Sequence, residues 1–364
     1  MQSNHKKRIC IVCRSLSEGG ADRVASLQSI MLSDLGYEVH VVTILDEIVY
    51  PYKGELLNLG AIKKQNDTIL GRLSRLNVLW RFIKDNRIDI LIDHRVRTKF
   101  FSEYILSAFV FPKDTIYMIH NHAIKLYFPP INWLTKLTYK PAKAIVSVSE
   151  GITKKVKSVY RFKNLETIYN PVDFNYIDRL AQEPLAIDTQ YVFWYGRFED
   201  QQKNLTLLVR AFKESKLVER GYKLMLMGNG KDKPLIEALI NELQLEADVL
   251  IKPFSSNPFQ YIANSKFTVL SSRFEGFPMT IIESLACGIP VLSVAYDNSE
   301  DSILQNEING LVVENGNINA LANGLNRFVE DEKLYLSCRQ NAKASVLNFA
   351  MNNIAEQWRK LIES

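Results

Sequence analysis

The stretch from Glu275 to Glu283 reads Glu-Gly-Phe-Pro-Met-Thr-Ile-Ile-Glu and sets two carboxylates around a tight turn containing Gly276 and Pro278. Pro278 suits the first position of a helix, where its missing N–H costs nothing. The spacing therefore predicts Glu275 on the preceding loop and Glu283 about a turn and a half inside the helix. Unpaired backbone N–H groups then lie between two acids. An exposed helix N-terminus attracts anions, and carboxylates accept hydrogen bonds from hydroxyls, a combination that fits a sugar phosphate. On these residues alone, an ordinary capped surface helix with two solvated acids remains the alternative.

Three further loops carry residues of the same kind. Gly19-Gly20-Ala21 closes the first loop of the chain, where two glycines entering a helix let the backbone approach a phosphate or sugar. The dinucleotide fingerprint G-x-G-x-x-G is absent, and a simple turn is the other reading. Gly196-Arg197 followed by Lys203-Asn204 supplies a guanidinium fork and a mobile ammonium, which together neutralise a diphosphate. Taken alone, this is also an unremarkable basic loop. His120-Asn121-His122 follows an apolar run, where a histidine can hydrogen-bond a sugar hydroxyl or share a proton. His5, His40 and His94 lack that placement and receive no role. Cys10 and Cys13 spell C-x-x-C but fall inside a strand pattern that points them to opposite faces, so they read as buried strand residues without a metal or redox task.

These loops need elements to position them. An apolar run from Arg8 to Arg14 leads into helical periodicity over Ala21 to Leu35, ended by Gly36, and then into a second run, Glu38 to Leu45. This is a βαβ unit and calls for a parallel sheet. Strands at 88–92, 115–119, 144–148 and 165–169 continue the alternation, with helices near 70–84, 99–108 and from Glu150. A looser segment, Asn175 to Thr189, reads as an interdomain connection. The pattern restarts with strands at 191–195, 223–227, 249–252, 267–270 and 290–294, with helices at 205–217, 234–243 and after Pro278. Residues 317–364 read as almost wholly helical. The expectation is an α/β protein with two doubly wound domains, 1–174 and 190–348, joined by a linker at 175–189, with a helix at about 349–364 packing back on the first.

The 364 residues suit two domains of ordinary size, and 47% hydrophobic with 23% charged residues is the composition of a folded globular chain. No signal peptide pattern follows Lys6, Lys7 and Arg8, and no apolar run is long enough to span a bilayer, so a cytoplasmic protein is expected. Four cysteines make no disulfide framework. The net charge of +5 is unevenly spread: residues 1–180 hold 27 Lys plus Arg against 17 Asp plus Glu, whereas residues 181–364 hold 18 against 23. Clusters at Lys63-Lys64, Arg72/Arg75, Arg95/Arg97/Lys99 and Lys136/Lys140/Lys143, interleaved with Tyr127, Phe128 and Trp133, read either as a surface for an anionic membrane leaflet or as solvated helix faces. No recognition motif for nucleic acid accompanies the charge.

The same loops carry a family resemblance. Gly19-Gly20-Ala21, Ser147-Val148-Ser149-Glu150-Gly151, Asn170-Pro171-Val172-Asp173, Gly196-Arg197 with Lys203-Asn204, Gly228-Asn229-Gly230, Glu275 to Glu283 and Asn309-Gly310-Leu311-Val312 occur in the order that resembles retaining glycosyltransferases of family 4. That resemblance implies the GT-B fold, two Rossmann-like domains facing across a cleft with C-terminal helices crossing back. It implies an acceptor held by the first domain and a nucleotide sugar, UDP-linked by preference, held by the second. Glu275 and the amides of Gly276, Phe277, Pro278-Met279 and Thr280 would meet donor sugar and diphosphate, and Glu283 the ribose. Arg197 and Lys203, beside Gly196, Asn204 and Gly228, would stabilise the departing diphosphate, His120 would approach the sugar, and Gly19 and Gly20 would lie near the diphosphate.

The acceptor implied is a saccharide or a polyprenyl-diphosphate-linked glycan, as in relatives that build surface polysaccharide. No cofactor and no metal are expected, since two cations and a helix N-terminus replace a divalent ion. Phe254-Ser255-Ser256-Asn257-Pro258 also resembles these relatives, with Ser255 in place of a glycine, and Asp297-Asn298-Ser299-Glu300-Asp301 departs from their Gly-Pro-rich turn. A nucleotide-sugar epimerase of the same fold and a non-catalytic binding subunit are the competing readings. A glycosidase using Glu275 and Glu283 would leave the basic phosphate loop unexplained.

Overall fold

Short apolar runs flanked by turn residues become strands, and because crossover segments, most of them helical, separate them, neighbouring strands run parallel. The computed structural model describes residues 6–17, 19–129, 131–296 and 303–364. These group into two compact units, one running to Pro171 and taking up Met351–Ser364 as well, the other Val172–Ala350.

The strands of the first unit are β1 (Arg8–Cys13), β2 (Glu38–Thr43), β3 (Glu55–Asn58), β4 (Ile90–Asp93), β5 (Thr115–Ile119), β6 (Ala144–Ser147) and β7 (Leu165–Thr167). They form one parallel sheet in the order β3-β2-β1-β4-β5-β6-β7. Its helices are α1 (Gly20–Asp34), α2 (Leu59–Gln65), α3 (Ile69–Asp85), α4 (Phe100–Ile105), α5 (Asn132–Tyr139) and α6 (Glu150–Tyr160). The second unit has α7 (Phe174–Ala181), α8 (Asp200–Lys203), α9 (Leu205–Glu214), α10 (Lys233–Glu242), α11 (Phe259–Ala263), α12 (Met279–Ala286), α13 (Ile318–Glu330) and α14 (Glu332–Ala342) around β8 (Tyr191–Tyr195), β9 (Lys223–Met227), β10 (Val249–Lys252), β11 (Thr268–Leu270), β12 (Val291–Val294) and β13 (Gly310–Val313). These strands are ordered β10-β9-β8-β11-β12-β13, again all parallel. The last helix, α15 (Met351–Glu363), returns to the first unit.

Both strand orders reverse direction once, between β1 and β4 in the first unit and between β8 and β11 in the second. Ligands of open parallel sheets bind beyond the strand C-termini at such a reversal, because neighbouring loops diverge there. The loop after β1 carries Gly19 and Gly20, and the loops after β8 and β11 carry Lys203 and Glu275. The core beneath the second reversal is made by Val192, Trp194, Leu224 and Leu226 of the strands against Leu208 and Phe212 of α9 and Leu321, Leu325 and Phe328 of α13. Each such side chain contributes about 1.5–3 kcal/mol by leaving water.

Two sequence expectations change. The segment Asn175–Thr189, read as a loose connection, is helical in its first part as α7, which caps itself through Asp173 Oδ1 accepting from Tyr176 N at 3.0 Å and buries Ile177. The helix expected at 99–108 is α4 followed by a π-helical turn, Leu106–Val110. The C-terminal helix at 349–364 is α15: Trp358 is buried, Tyr37 Oη donates to Glu363 Oε1 at 2.8 Å, and Lys7 Nζ donates to the Ile362 carbonyl at 2.8 Å.

Candidate functional site

In the second unit the loop after β8 is shaped by glycine. Gly228 has φ +145°, and a Cβ there would lie 1.9 Å from the Gly196 carbonyl oxygen, while one on Gly230 (φ +158°) would lie 2.3 Å from that of Phe198. Only bare backbone lets the β8 and β9 loops run in contact. Gly196 N donates to the Met227 carbonyl and Phe198 N to that of Asn229. This fixes the start of the Arg197–Lys203 segment. Asn204 ends α8 in the left-handed region, φ 51° and ψ 45°, and turns the chain directly into α9. Asparagine tolerates that conformation better than other side chains do, and here it is buried.

The loop after β11 is zipped onto α8. Ser271 Oγ donates to the Lys203 carbonyl at 2.7 Å, Arg273 N to that of Gln202 at 2.8 Å, and Arg273 Nη1 to that of Asp200 at 3.0 Å. The result is a pair that sequence spacing does not show: Lys203 Nζ donates to Glu275 Oε1 at 2.6 Å, with the two side chains 18% and 9% exposed. Arg197, by contrast, is exposed, with Glu199 at 3.5 Å. The Lys203 stem passes Gly196, where a Cβ would be 4.0 Å from Cε. The cations expected to act on one diphosphate therefore belong to one loop, and the first of them points into solvent.

Pro278 is the N-cap of α12, one position earlier than the spacing predicts, and no side chain caps this end. The helix enters on the amides of Met279 and Thr280, a positive end suited to an anion. Gly276 and Thr280 are partly accessible, while Phe277 and Met279 are buried. Phe277 meets Phe349 edge-on at 5.4 Å. Glu283 lies within α12 and is 4% exposed, its Oε2 accepting from Tyr195 Oη at 2.8 Å. Tyr195 thus links the end of β8 to the acid. Phe254 follows β10 and is partly buried. Ser255 there accepts from Asn257 N at 3.1 Å, so the hydroxyl builds the turn into α11. The stretch Asp297 to Asp301 lies outside the described residues, as does His5.

In the first unit, Gly19 is the extended N-cap of α1 and Gly20 its first residue. A Cβ on Gly20 would meet nothing within 4 Å, so open space adjoins it. His120 directly follows β5, as its position in the sequence predicts. It does not stand alone. His94, given no role from sequence, directly follows β4 and places Nδ1 3.0 Å from His120 Nε2, while its own Nε2 lies 2.6 Å from Gln28 Oε1 on α1. With the Gln28 oxygen accepting, His94 Nε2 donates, its bare Nδ1 accepts from His120 Nε2–H, and His120 keeps Nδ1 as an acceptor. Burial pushes the His94 pKa down to about 3, helped by the Arg97 charge. Burial, then His94 and Arg97, push His120 well below the usual range. Both rings are neutral at physiological pH, fit to orient a hydroxyl rather than to carry charge.

What holds the histidines is a buried ionic cluster. Arg97 is fully buried, between the rings of Tyr117, Tyr127 and Tyr139 at 5.0–5.5 Å. Its Nη2 donates to the Met118 carbonyl at 3.1 Å and its Nη1 to that of Arg95 at 3.0 Å, tying β5 to the loop after β4. Arg95 forks onto Asp93 at 2.8 and 3.0 Å and reaches Glu103 at 2.9 Å. This corrects the sequence reading of a surface cluster: Arg95 and Arg97 are internal, and so are Tyr127 and Phe128, whereas Trp133 is 68% exposed. Cys10 and Cys13 are buried in β1 and unbridged. Among the described residues no group of three or more His, Cys, Asp or Glu gathers as metal ligands would.

Comparison with known proteins agrees with this architecture. Residues 18–176 match the family described as Glycosyltransferase Family 4, and residues 178–345 match Glycosyl transferases group 1. The chain is 29% identical, over 98% of its length and 99% of the relative's, to N-acetylgalactosamine-N,N'-diacetylbacillosaminyl-diphospho-undecaprenol 4-alpha-N-acetylgalactosaminyltransferase of Campylobacter jejuni. It is 23% identical, over 95% and 96%, to the amylovoran biosynthesis glycosyltransferase AmsD of Erwinia amylovora. Among solved structures, HepE of Anabaena in complex with UDP-glucose superimposes with a TM-score of 0.78 at 18% identity, covering 98% of this chain and 99% of that one. With one family matched by each sheet domain and the fold shared end to end, this chain belongs to the family 4 glycosyltransferases of the GT-B fold.

Proposed function

We propose that the chain transfers a hexose or N-acetylhexosamine from a UDP-sugar to a saccharide carried on polyprenyl diphosphate, with retention at the anomeric carbon and without a metal ion. In this reading it builds surface glycan at the inner face of the cytoplasmic membrane. The observation that carries the proposal is the Lys203–Glu275 pair at the strand-order reversal of the second unit, beside the uncapped start of α12. Lys203, Arg197 and the Met279 and Thr280 amides form a cationic surround for a diphosphate, and Glu275 next to it accepts from sugar hydroxyls. Glu283, already oriented by Tyr195, takes the ribose. The relative from Campylobacter jejuni, whose name carries a diphospho-undecaprenol acceptor, and HepE, solved with UDP-glucose, support the acceptor and donor classes.

In the proposed reaction the bond from the anomeric carbon to the diphosphate breaks as the acceptor hydroxyl approaches from the same face, and the hydroxyl proton passes to the departing phosphate oxygen. Charge builds on the diphosphate, where one preorganised donor contributes roughly 3 to 4 kcal/mol. Neutral His120 orients a donor-sugar hydroxyl through Nδ1. The test is a thermal-shift panel of UDP, GDP, ADP and their sugars, followed by transfer of labelled sugar to a polyprenyl-diphosphate saccharide with and without chelator. Stabilisation by uridine nucleotides and chelator-resistant label in the lipid fraction are expected. Label that stays in the free nucleotide sugar, or no nucleotide shift, overturns the reading.

A further inference from the structure

The first unit carries an exposed apolar stripe that its own core does not need. Phe101, Ile105 and Phe109 recur every fourth residue along α4 and the π-helical turn that continues it, and they are 81%, 37% and 70% exposed. On the neighbouring α5, Trp133 and Leu137 are 68% and 50% exposed. Ser107 Oγ donates to the Thr138 carbonyl at 3.2 Å, which sets the two helices side by side. The acid of α4, Glu103, is turned inward onto Arg95. Lys99, Lys136 and Lys140 are exposed around the stripe, and among the described residues none of the three has an acidic partner. Aromatic and aliphatic side chains fringed by lysine, with the local acid removed, are chemically matched to the headgroup boundary of an anionic bilayer.

We infer that this α4–α5 face is where the protein docks on an anionic lipid bilayer, lying in the interface. No helix among the described residues is long and apolar enough to cross a membrane. Charge argues against a second copy of the chain as the occupant, since a twofold pairing of this face would set Lys99, Lys136 and Lys140 against themselves. The face is also rigidly joined to the histidine site. Arg95 bridges Glu103 of α4 to Asp93 at the end of β4, next to His94. The inference deepens the proposed function by naming where a membrane-borne acceptor is met.

The experiment contains neither donor nor acceptor, so its failure and the failure of the transfer reading are separate results. The full chain is sedimented with vesicles of phosphatidylcholine alone or with phosphatidylglycerol added, at low and high salt. Binding is expected on the anionic vesicles, weakening with salt. Lys136→Gln/Lys140→Gln should lower partitioning roughly 30-fold, from about fivefold per surface lysine. Phe101→Ser/Phe109→Ser should lower it by at least about tenfold. Trp194 and Trp358 are buried and Trp80 lies under Lys84 at 4.1 Å, so a blue shift of emission on anionic vesicles should come from Trp133 and vanish in Trp133→Phe. That spectral result stands even if a multiple variant folds poorly. Equal binding to neutral and anionic vesicles, or no blue shift, overturns the inference. So does a wild-type dimer in sedimentation equilibrium that Phe101→Ser/Phe109→Ser dissolves, since the occupant is then a second copy.

Discussion

Lys203→Met removes the ammonium from the loop after β8 while keeping most of the stem that packs past Gly196. Two effects follow, and they separate. In the resting protein, Glu275 loses a partner that donates to it at 2.6 Å, in a place where the carboxylate side chain is only 9% exposed. Breaking a fully buried pair costs about 3–5 kcal/mol, and since water reaches the lysine side, about 2 kcal/mol is the expected loss here. For a domain of this size that is a fall in Tm of roughly 4–8 °C. In the reaction, one preorganised charge on the leaving diphosphate disappears, which corresponds to roughly a 10²–10³-fold loss of kcat. Lys203→Met/Glu275→Gln leaves no unpaired charge, so its Tm should return close to that of the wild type while turnover stays low. Calorimetry gives the first quantity and initial rates at saturating donor the second. Turnover of Lys203→Met within about threefold of wild type would refute the leaving-group role. A double variant as unstable as the single one would refute the pair.

Gly228→Ala should destabilise the second unit by at least about 2 kcal/mol, because a Cβ at φ +145° has to displace the Gly196 carbonyl oxygen 1.9 Å away; thermal unfolding and soluble yield report it. His94→Ala should lower turnover about tenfold or more while leaving nucleotide binding to the second unit unchanged in calorimetric titration, since His94 acts through His120, and His94→Gln, which can still bridge, should recover part of the loss. Acid sensitivity has a definite sign: the folded pKa of His94 is depressed to about 3, so the unfolded chain takes up a proton that the folded chain does not. Stability from the neutral pair is fully present above the unfolded histidine pKa of about 6.5 and is lost as pH falls from there toward the folded value, by up to about 1.4 kcal/mol per pH unit for each ring. Urea melts from neutral pH downward should show this slope, and His94→Gln should make it shallower by one proton.

The two sheets were readable because buried parallel strands are short continuous apolar runs; Thr115–Ile119, Tyr191–Tyr195 and Val249–Lys252 sit where the sequence places them. Elements that escape are those whose burial comes from neighbours. Glu55–Asn58 is a half-buried edge strand with polar ends, and Gly310–Val313 follows a polar turn. Residue types at the site were equally legible, since glycine at Gly228, proline at Pro278 and acids at Glu275 and Glu283 each answer a local backbone or charge requirement. Pairings across the strand-order reversal were not. Lys203 and Glu275 are 72 residues apart, and only the order β8-β11 makes them neighbours. His94 offered the signal used for His120, a histidine at the end of a parallel strand. The apolar run, however, stops at Ile92, because Asp93 is charged, and the burial that lets Asp93 finish β4 beside Arg95 and Arg97, with Arg97 reaching across to the Met118 carbonyl, does not show in the apolar pattern. The same cluster explains why Arg97 reads as a surface residue in sequence and is buried in the fold. An arginine looks exposed in sequence, yet three tyrosine rings and carbonyls of Asp93, Arg95 and Met118 make it the post around which the histidine pair is built. A charge this deep is expensive unless every partner is in place. The neutral histidines therefore depend on an ionic core, and disturbing that core at Arg97 should unseat His94 and His120 together.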